Sequence, residues 1–116
     1  MKLIEMIEQV KQHPDIHKAG MILCHNGIVR GTSRDGSPVR ELTVRHERIR
    51  LDDIAAEMKN RPGIIEVLIE LNEGTLHPGD DIMYVVVAGD FRENVIPVIS
   101  EAINLIKASA VEKTER

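Results

Sequence analysis

Six arginines, Arg30, Arg34, Arg40, Arg45, Arg48 and Arg50, fall within 21 residues whose only acids are Asp35, Glu41 and Glu47. Guanidinium groups at that density suit an anion, because the planar fork grips a phosphate or carboxylate through paired hydrogen bonds. The same stretch reads equally as a solvated loop kept soluble by its charge. Near the C-terminus, Lys107 stands at the border of an apolar stripe that includes Ile96 and Ile103. A lysine there either lifts its ammonium to water and favours the helix C-terminus, or is partly desolvated and becomes a base or nucleophile. Arg92 opens the same helix, where a cation opposes the dipole. That placement is a sign of function, or of a pair with Glu93 or Asp90.

Other chemistries find no support. The five histidines are scattered, and Cys24-His25 has no matching Cys/His pair, so no metal site is expected. No phosphate-loop or dinucleotide glycine pattern occurs, and no Ser-His-Asp or Cys-His constellation is legible. Asp80-Asp81 follows Pro78-Gly79 and reads as a solvated turn rather than a working carboxylate pair. The net charge of −4 and an aromatic content of 2% argue against nucleic-acid binding. Cys24 is the sole cysteine, the charged N-terminus does not read as a signal peptide, and no apolar run is long enough to span a membrane. A cytoplasmic protein is expected.

The elements that must carry these residues follow from pattern. At 116 residues, with 42% hydrophobic and 29% charged residues, a single domain is expected over 1–116. Leu3, Ile4, Met6, Ile7 and Val10 predict an N-terminal helix within a segment 1–18, ended by His13-Pro14-Asp15. Ala19 to Val29 reads as a strand. A polar, mobile loop is expected over 31–38, and Val39 to Arg45 can return as the second arm of a long hairpin. Leu51 to Met58 reads as a helix and Ile64 to Glu70 as a strand. Ile82 to Ala88 reads as a strand buried on both faces. Asp90 and Glu93 suggest a capping box for a last helix, with Pro97 causing a kink or a start near Asn94. The order predicts an α+β fold, with helices packed on one face of a mostly antiparallel sheet.

Three segments, in order, resemble the large, catalytic subunit of molybdopterin synthase, the MoaE family. They are Gly20-Met21-Ile22-Leu23 with Gly27-Ile28-Val29-Arg30; Leu42-Thr43-Val44-Arg45-His46-Glu47; and Gly74-Thr75-Leu76-His77-Pro78-Gly79-Asp80-Asp81, continued by the apolar strand, Arg92 and Ile106-Lys107. The resemblance implies an α/β-hammerhead-like fold and a homodimer. It also implies a small ubiquitin-like partner, giving a heterotetramer, whose C-terminal thiocarboxylate delivers sulfur to cyclic pyranopterin monophosphate. It further implies that Arg30 and Arg92 bind anionic groups of the substrate, that Lys107 is the essential lysine and Lys113 a second one, and that His46 lines the pocket. No cofactor is implied, since the pterin is the substrate.

This sequence departs from the family pattern at Phe91, where the family usually has a histidine able to transfer a proton. It also departs in an N-terminal helix in place of a strand, and in ending at Arg116, which is expected to leave the pocket more open. These departures keep a second reading in view: a noncatalytic module that binds a ubiquitin-like partner.

Overall fold

The computed structural model describes residues 2–116. The chain runs α1 (Lys2–Lys11), a 3-10 turn (Ile16–Lys18), β1 (Met21–Ile28), β2 (Leu42–His46), α2 (Arg48–Lys59), β3 (Ile64–Leu71), β4 (Gly74–Leu76), β5 (Asp81–Gly89), α3 (Arg92–Ser109) and β6 (Val111–Glu115). The strands form two antiparallel sheets of three, in the orders β1-β5-β3 and β4-β2-β6. The fold is α+β, as the element order predicts.

β5 is the centre of the molecule. Its residues from Ile82 to Gly89 are all buried, since helices cover both faces of its sheet. On one face Met83, Val85 and Val87 meet α2 and α3 through Leu51, Ile54, Met58, Val95, Ala102 and Ile106. On the other, Tyr84, Val86 and Ala88 meet Met6 and Val10 of α1. Each such aliphatic side chain contributes about 1.5–3 kcal/mol when fully buried. The helices thus pack on two faces of the sheet, not on one. The alternation along β5 shows why: Tyr84, Val86 and Ala88 would be left in water without α1.

The long hairpin is not formed. β1 pairs with β5, whereas β2 pairs with β4 and β6, and between β1 and β2 only Thr32 and Pro38 form a bridge. β1 needs a neighbour for an apolar face, and the nonpolar run of β5 supplies a better one than the arginine-rich Val39–Arg45 segment. The capping box is also absent. The N-cap of α3 is Phe91, and Asp90 Oδ1 instead accepts from the Phe91 amide at 2.6 Å and from Asn94 Nδ2 at 2.8 Å. α3 begins at Arg92 and passes through Pro97 without interruption. The hydrogen bond that Pro97 cannot donate would have gone to Glu93, in an exposed first turn where water can serve the carbonyl.

Candidate functional site

The geometry of the site begins where the two sheets meet. β1 ends at Ile28, and Val29 is clamped by its amide to the Asp80 carbonyl (2.9 Å) and by its carbonyl to the Gly79 amide (2.8 Å). Arg30 therefore leaves from a fixed backbone. On the opposite side α3 ends at Ser109 and the chain turns directly into β6, which runs antiparallel to β2 with Val44 opposite Lys113 and Leu42 opposite Glu115. The period of two puts Val111, Lys113 and Glu115 on one side of β6, while Lys107 projects from the last turn of α3.

Between them lies an open pocket of about 810 Å³ lined in part by Arg30, Arg34, Leu42, Ile82, Lys107, Lys113 and Glu115. Four cations face one carboxylate there. Lys107, Lys113 and Arg34 form no ion pair within 4 Å among the described residues, and Arg30 donates its Nε to the Thr32 carbonyl at 2.9 Å. Unpaired cations around a cavity repel one another until an anion enters, so the arrangement is suited to binding an anion and stabilising developing negative charge.

The titration of the neighbours reports the same field. Burial pushes the Lys113 amine below the ordinary lysine range, repulsion from Lys107 adds to this, and Glu115 offsets part of it. Lys113 reaches solvent, yet enough atoms crowd its ammonium for desolvation to be the largest cause. His25, on β1, is also pushed down, first by burial and then by Lys107 and Lys113. Its ring lies over Gly27: a Cβ there would stand 3.3 Å from His25 Nε2, so the glycine leaves the imidazole its room.

A stability consequence follows from Lys113. Its folded pKa lies below the unfolded value, so the charged form is penalised in the folded state at every pH below the folded pKa, and the penalty vanishes above about 10.5. Lys113→Gln is expected to raise the midpoint of thermal unfolding at pH 7 by about 1–3 °C, a small gain because the side chain still reaches solvent. The gain should shrink as pH rises past 10. Thermal melts of both chains from pH 7 to 11 check this, and a melting point that falls at pH 7 would count against the repulsion.

The structure thus brings Arg30, Lys107 and Lys113 together. It places Arg92 and His46 elsewhere. Arg92 opens α3, about 22 Å along the helix axis from Lys107; its Nε lies 3.3 Å from Glu93 Oε1 and its side chain is 78% exposed. His46 lies at the far end of β2 from Leu42 and lines a separate cavity of about 290 Å³ with Arg45, Glu47 and the 108–112 segment. Its Nδ1 is 2.9 Å from Glu73 Oε1, close enough for ion pairing, but is not aligned for a hydrogen bond. Phe91 is 66% exposed beside Arg92. Arg34, one of the six clustered arginines but not one that the resemblance names, also lines the pocket, and His25 stands near enough to feel the charges of Lys107 and Lys113. Among the described residues no cluster of three or more His, Cys, Asp or Glu could hold a metal ion, and no helix is long and apolar enough to cross a membrane.

Residues 2–109 match the family described as MoaE protein. The chain is 28% identical over 107 residues to a probable molybdopterin synthase of Haloferax volcanii, a match that covers 88% of this chain and 41% of that protein. This chain therefore spans about two-fifths of the length of the curated relative it matches. Among solved structures, it superposes on the molybdopterin biosynthesis MoaE protein of Burkholderia ambifaria MC40-6 with a TM-score of 0.80 and 25% identity, covering 100% of this chain and 81% of that one. The molybdopterin synthase of Staphylococcus aureus shares the fold with a TM-score of 0.75 at 23% identity, over 85% of this chain and 75% of that one. So does a chain in the complex of subunits 1 and 2 of molybdopterin-converting factor from Helicobacter pylori 26695, with a TM-score of 0.72 at 17% identity, over 99% of this chain and 78% of that one. With residues 2–109 of its 116 matched, the chain belongs to the MoaE protein family.

Proposed function

We propose that this chain is the large, catalytic subunit of a molybdopterin synthase. It would transfer sulfur from the C-terminal thiocarboxylate of a small ubiquitin-like subunit to cyclic pyranopterin monophosphate, in molybdenum cofactor biosynthesis. The observation that carries the reading is the convergence of Arg30, Lys107 and Lys113 on one open pocket with a single carboxylate. Both reactants are anions, and a site for them needs fixed positive charge more than it needs a metal or a cofactor. The Helicobacter pylori neighbour, a two-subunit complex, supports a small-subunit partner.

The roles divide by chemistry. Arg30 holds an anionic group of the substrate with the face of its fork left free by Thr32. For each sulfur delivered, a carbon–oxygen bond of the pterin side chain breaks as the carbon–sulfur bond forms, the acyl carbon–sulfur bond breaks, and water converts the small subunit's terminus to a carboxylate. Lys107 acts at that acyl centre. Lys113, with its lowered pKa, supplies more neutral amine at neutral pH than an ordinary lysine and supports the proton transfers. Arg92, at the opposite end of α3, joins this chemistry only across the proposed homodimer.

Phe91 favours a second reading, in which the groove binds the partner and performs no chemistry, because an exposed phenyl ring cannot move a proton where the family carries histidine. One assay separates them. The purified chain is mixed with a thiocarboxylated small subunit from the same genome and cyclic pyranopterin monophosphate, and dithiolene product is followed. Product is expected. A stable complex that yields none would establish the binding module instead, and absence of both complex and product would remove both readings.

A further inference from the structure

The loop between β1 and β2 is built to aim one side chain. Its base is closed by the Thr32–Pro38 bridge and by the Val39 amide on the Gly31 carbonyl at 2.9 Å. Inside it the Ser33 amide donates to Ser37 O (2.8 Å) and the Gly36 amide to Ser33 O (3.0 Å). Gly36 supplies the positive φ, 89°, that such a turn needs. The Asp35 carboxylate accepts from the Ser33 hydroxyl and from the Ser37 amide at 2.9 Å, and these bonds hold its pKa down to about 2. The acid nearest in sequence to Arg34 is therefore bound within the turn.

Arg34 sits at the second position of that turn with no acid within ion-pair distance among the described residues. It lines the large pocket with Arg30, and also a smaller cavity of about 280 Å³ with Lys107, Val111 and Lys113. Arg34 therefore lines both cavities together with Lys107 and Lys113, whereas Arg30 lines only the larger one. The neighbouring arginines are engaged or turned away: Arg48 binds Asp52 and Glu70, Arg50 donates to Ser109, and Arg45 lines the His46 cavity. Two guanidinium groups lining one pocket suit a phosphate group, whose charged non-ester oxygens can each accept several hydrogen bonds.

We propose that Arg34 is a specificity-determining residue, which with Arg30 clamps the phosphate group of the substrate and selects phosphorylated over unphosphorylated pterin. The assignment rests on the synthase reading for the identity of the substrate, but its core, a phosphate subsite centred on Arg34, can be tested apart from turnover. Inorganic phosphate is titrated into the full chain and into Arg34→Gln, Arg34→Lys and Arg40→Gln, with binding followed by amide chemical shifts at fixed ionic strength. Arg40→Gln removes the same charge from a loop residue that lines no part of the pocket. The expected result is a loss of about tenfold in phosphate affinity for Arg34→Gln, partial retention for Arg34→Lys, and little change for Arg40→Gln.

A parallel titration uses a peptide ending in Gly-Gly carboxylate, whose affinity is expected to change less in Arg34→Gln than that of phosphate. Equal phosphate affinity in Arg34→Gln and the unaltered chain would overturn the proposal. So would absence of phosphate binding to the unaltered chain, equal losses in Arg34→Gln and Arg40→Gln, or a loss confined to the peptide. A phosphate subsite that survives these tests in a chain making no dithiolene would leave Arg34 in place and remove the synthase reading.

Discussion

Lys107→Ala is expected to lower the rate of sulfur transfer by about 10³-fold while leaving the fold and the complex with the small subunit intact. The two halves of that expectation rest on different observations. Lys107 is exposed in the last turn of α3 and makes no ion pair within 4 Å among the described residues, so its removal leaves no buried partner unsatisfied. Yet its charge is felt by Lys113 and His25, which places it against the groups that would share its chemistry. Lys107→Arg separates two ways in which it could act. A guanidinium keeps the positive charge but stays protonated, so an activity as low as that of the alanine variant identifies amine chemistry, whereas substantial rescue identifies electrostatic stabilisation alone. Single-turnover measurement with preformed complex is the appropriate readout, because it excludes changes in partner affinity. Full activity of Lys107→Ala would sink the role.

The elements were largely legible in the sequence, and their partners were not. The stripe of Met6 and Val10 and the unbroken apolar run of β5 each state a local period, and the structure has the helix and the doubly covered strand they imply. Pairing is a nonlocal choice. Nothing in Val39–Arg45 says that its neighbours are β4 and the C-terminal strand rather than β1. β6 escaped because Val111 is its only partly buried residue, leaving Glu112 to Glu115 to read as solvated tail. Backbone pairing with β2, and not apolar burial, holds it. The same reason hid part of the site. Sequence resemblance named Arg30, Lys107 and Lys113, but Arg34 is one of six arginines in a row of similar surroundings. Only the turn made by Ser33, Asp35 and Gly36 distinguishes it, by fixing where its backbone points.

The pocket depends in turn on a junction at the other end of the molecule, and Gly89→Ala is expected to weaken it by about 3 kcal/mol, lowering the thermal midpoint by about 10 °C. Here β1, β3 and the start of α3 converge on the end of β5. The Gly20 amide donates to the Gly89 carbonyl at 2.8 Å, and the Asp90 amide to the Gly63 carbonyl at 2.9 Å. A Cβ on Gly89 would stand 2.5 Å from Val95 Cγ2 and 2.8 Å from the Gly63 carbonyl oxygen. Neither neighbour can give way. Val95 is wholly buried in the core, and Gly63 is held at a φ of 78° by a backbone that leads straight into β3. Relief therefore requires moving α3 off the sheet, and that helix carries Lys107 at its other end.

Gly31→Ala is the matching control, since the nearest atom to its Cβ would be Pro78 Cβ at 4.0 Å, an ordinary contact. Its effect is expected within about 0.5 kcal/mol. Calorimetric melts of the two variants beside the unaltered chain decide the matter. A Gly89→Ala melting point equal to that of Gly31→Ala would mean that the junction yields and that α3 is positioned by its apolar face alone. The expected drop, with Lys113 and Lys107 resonances shifted as well, would show that glycines at one end of the helix set the geometry of the cations at the other.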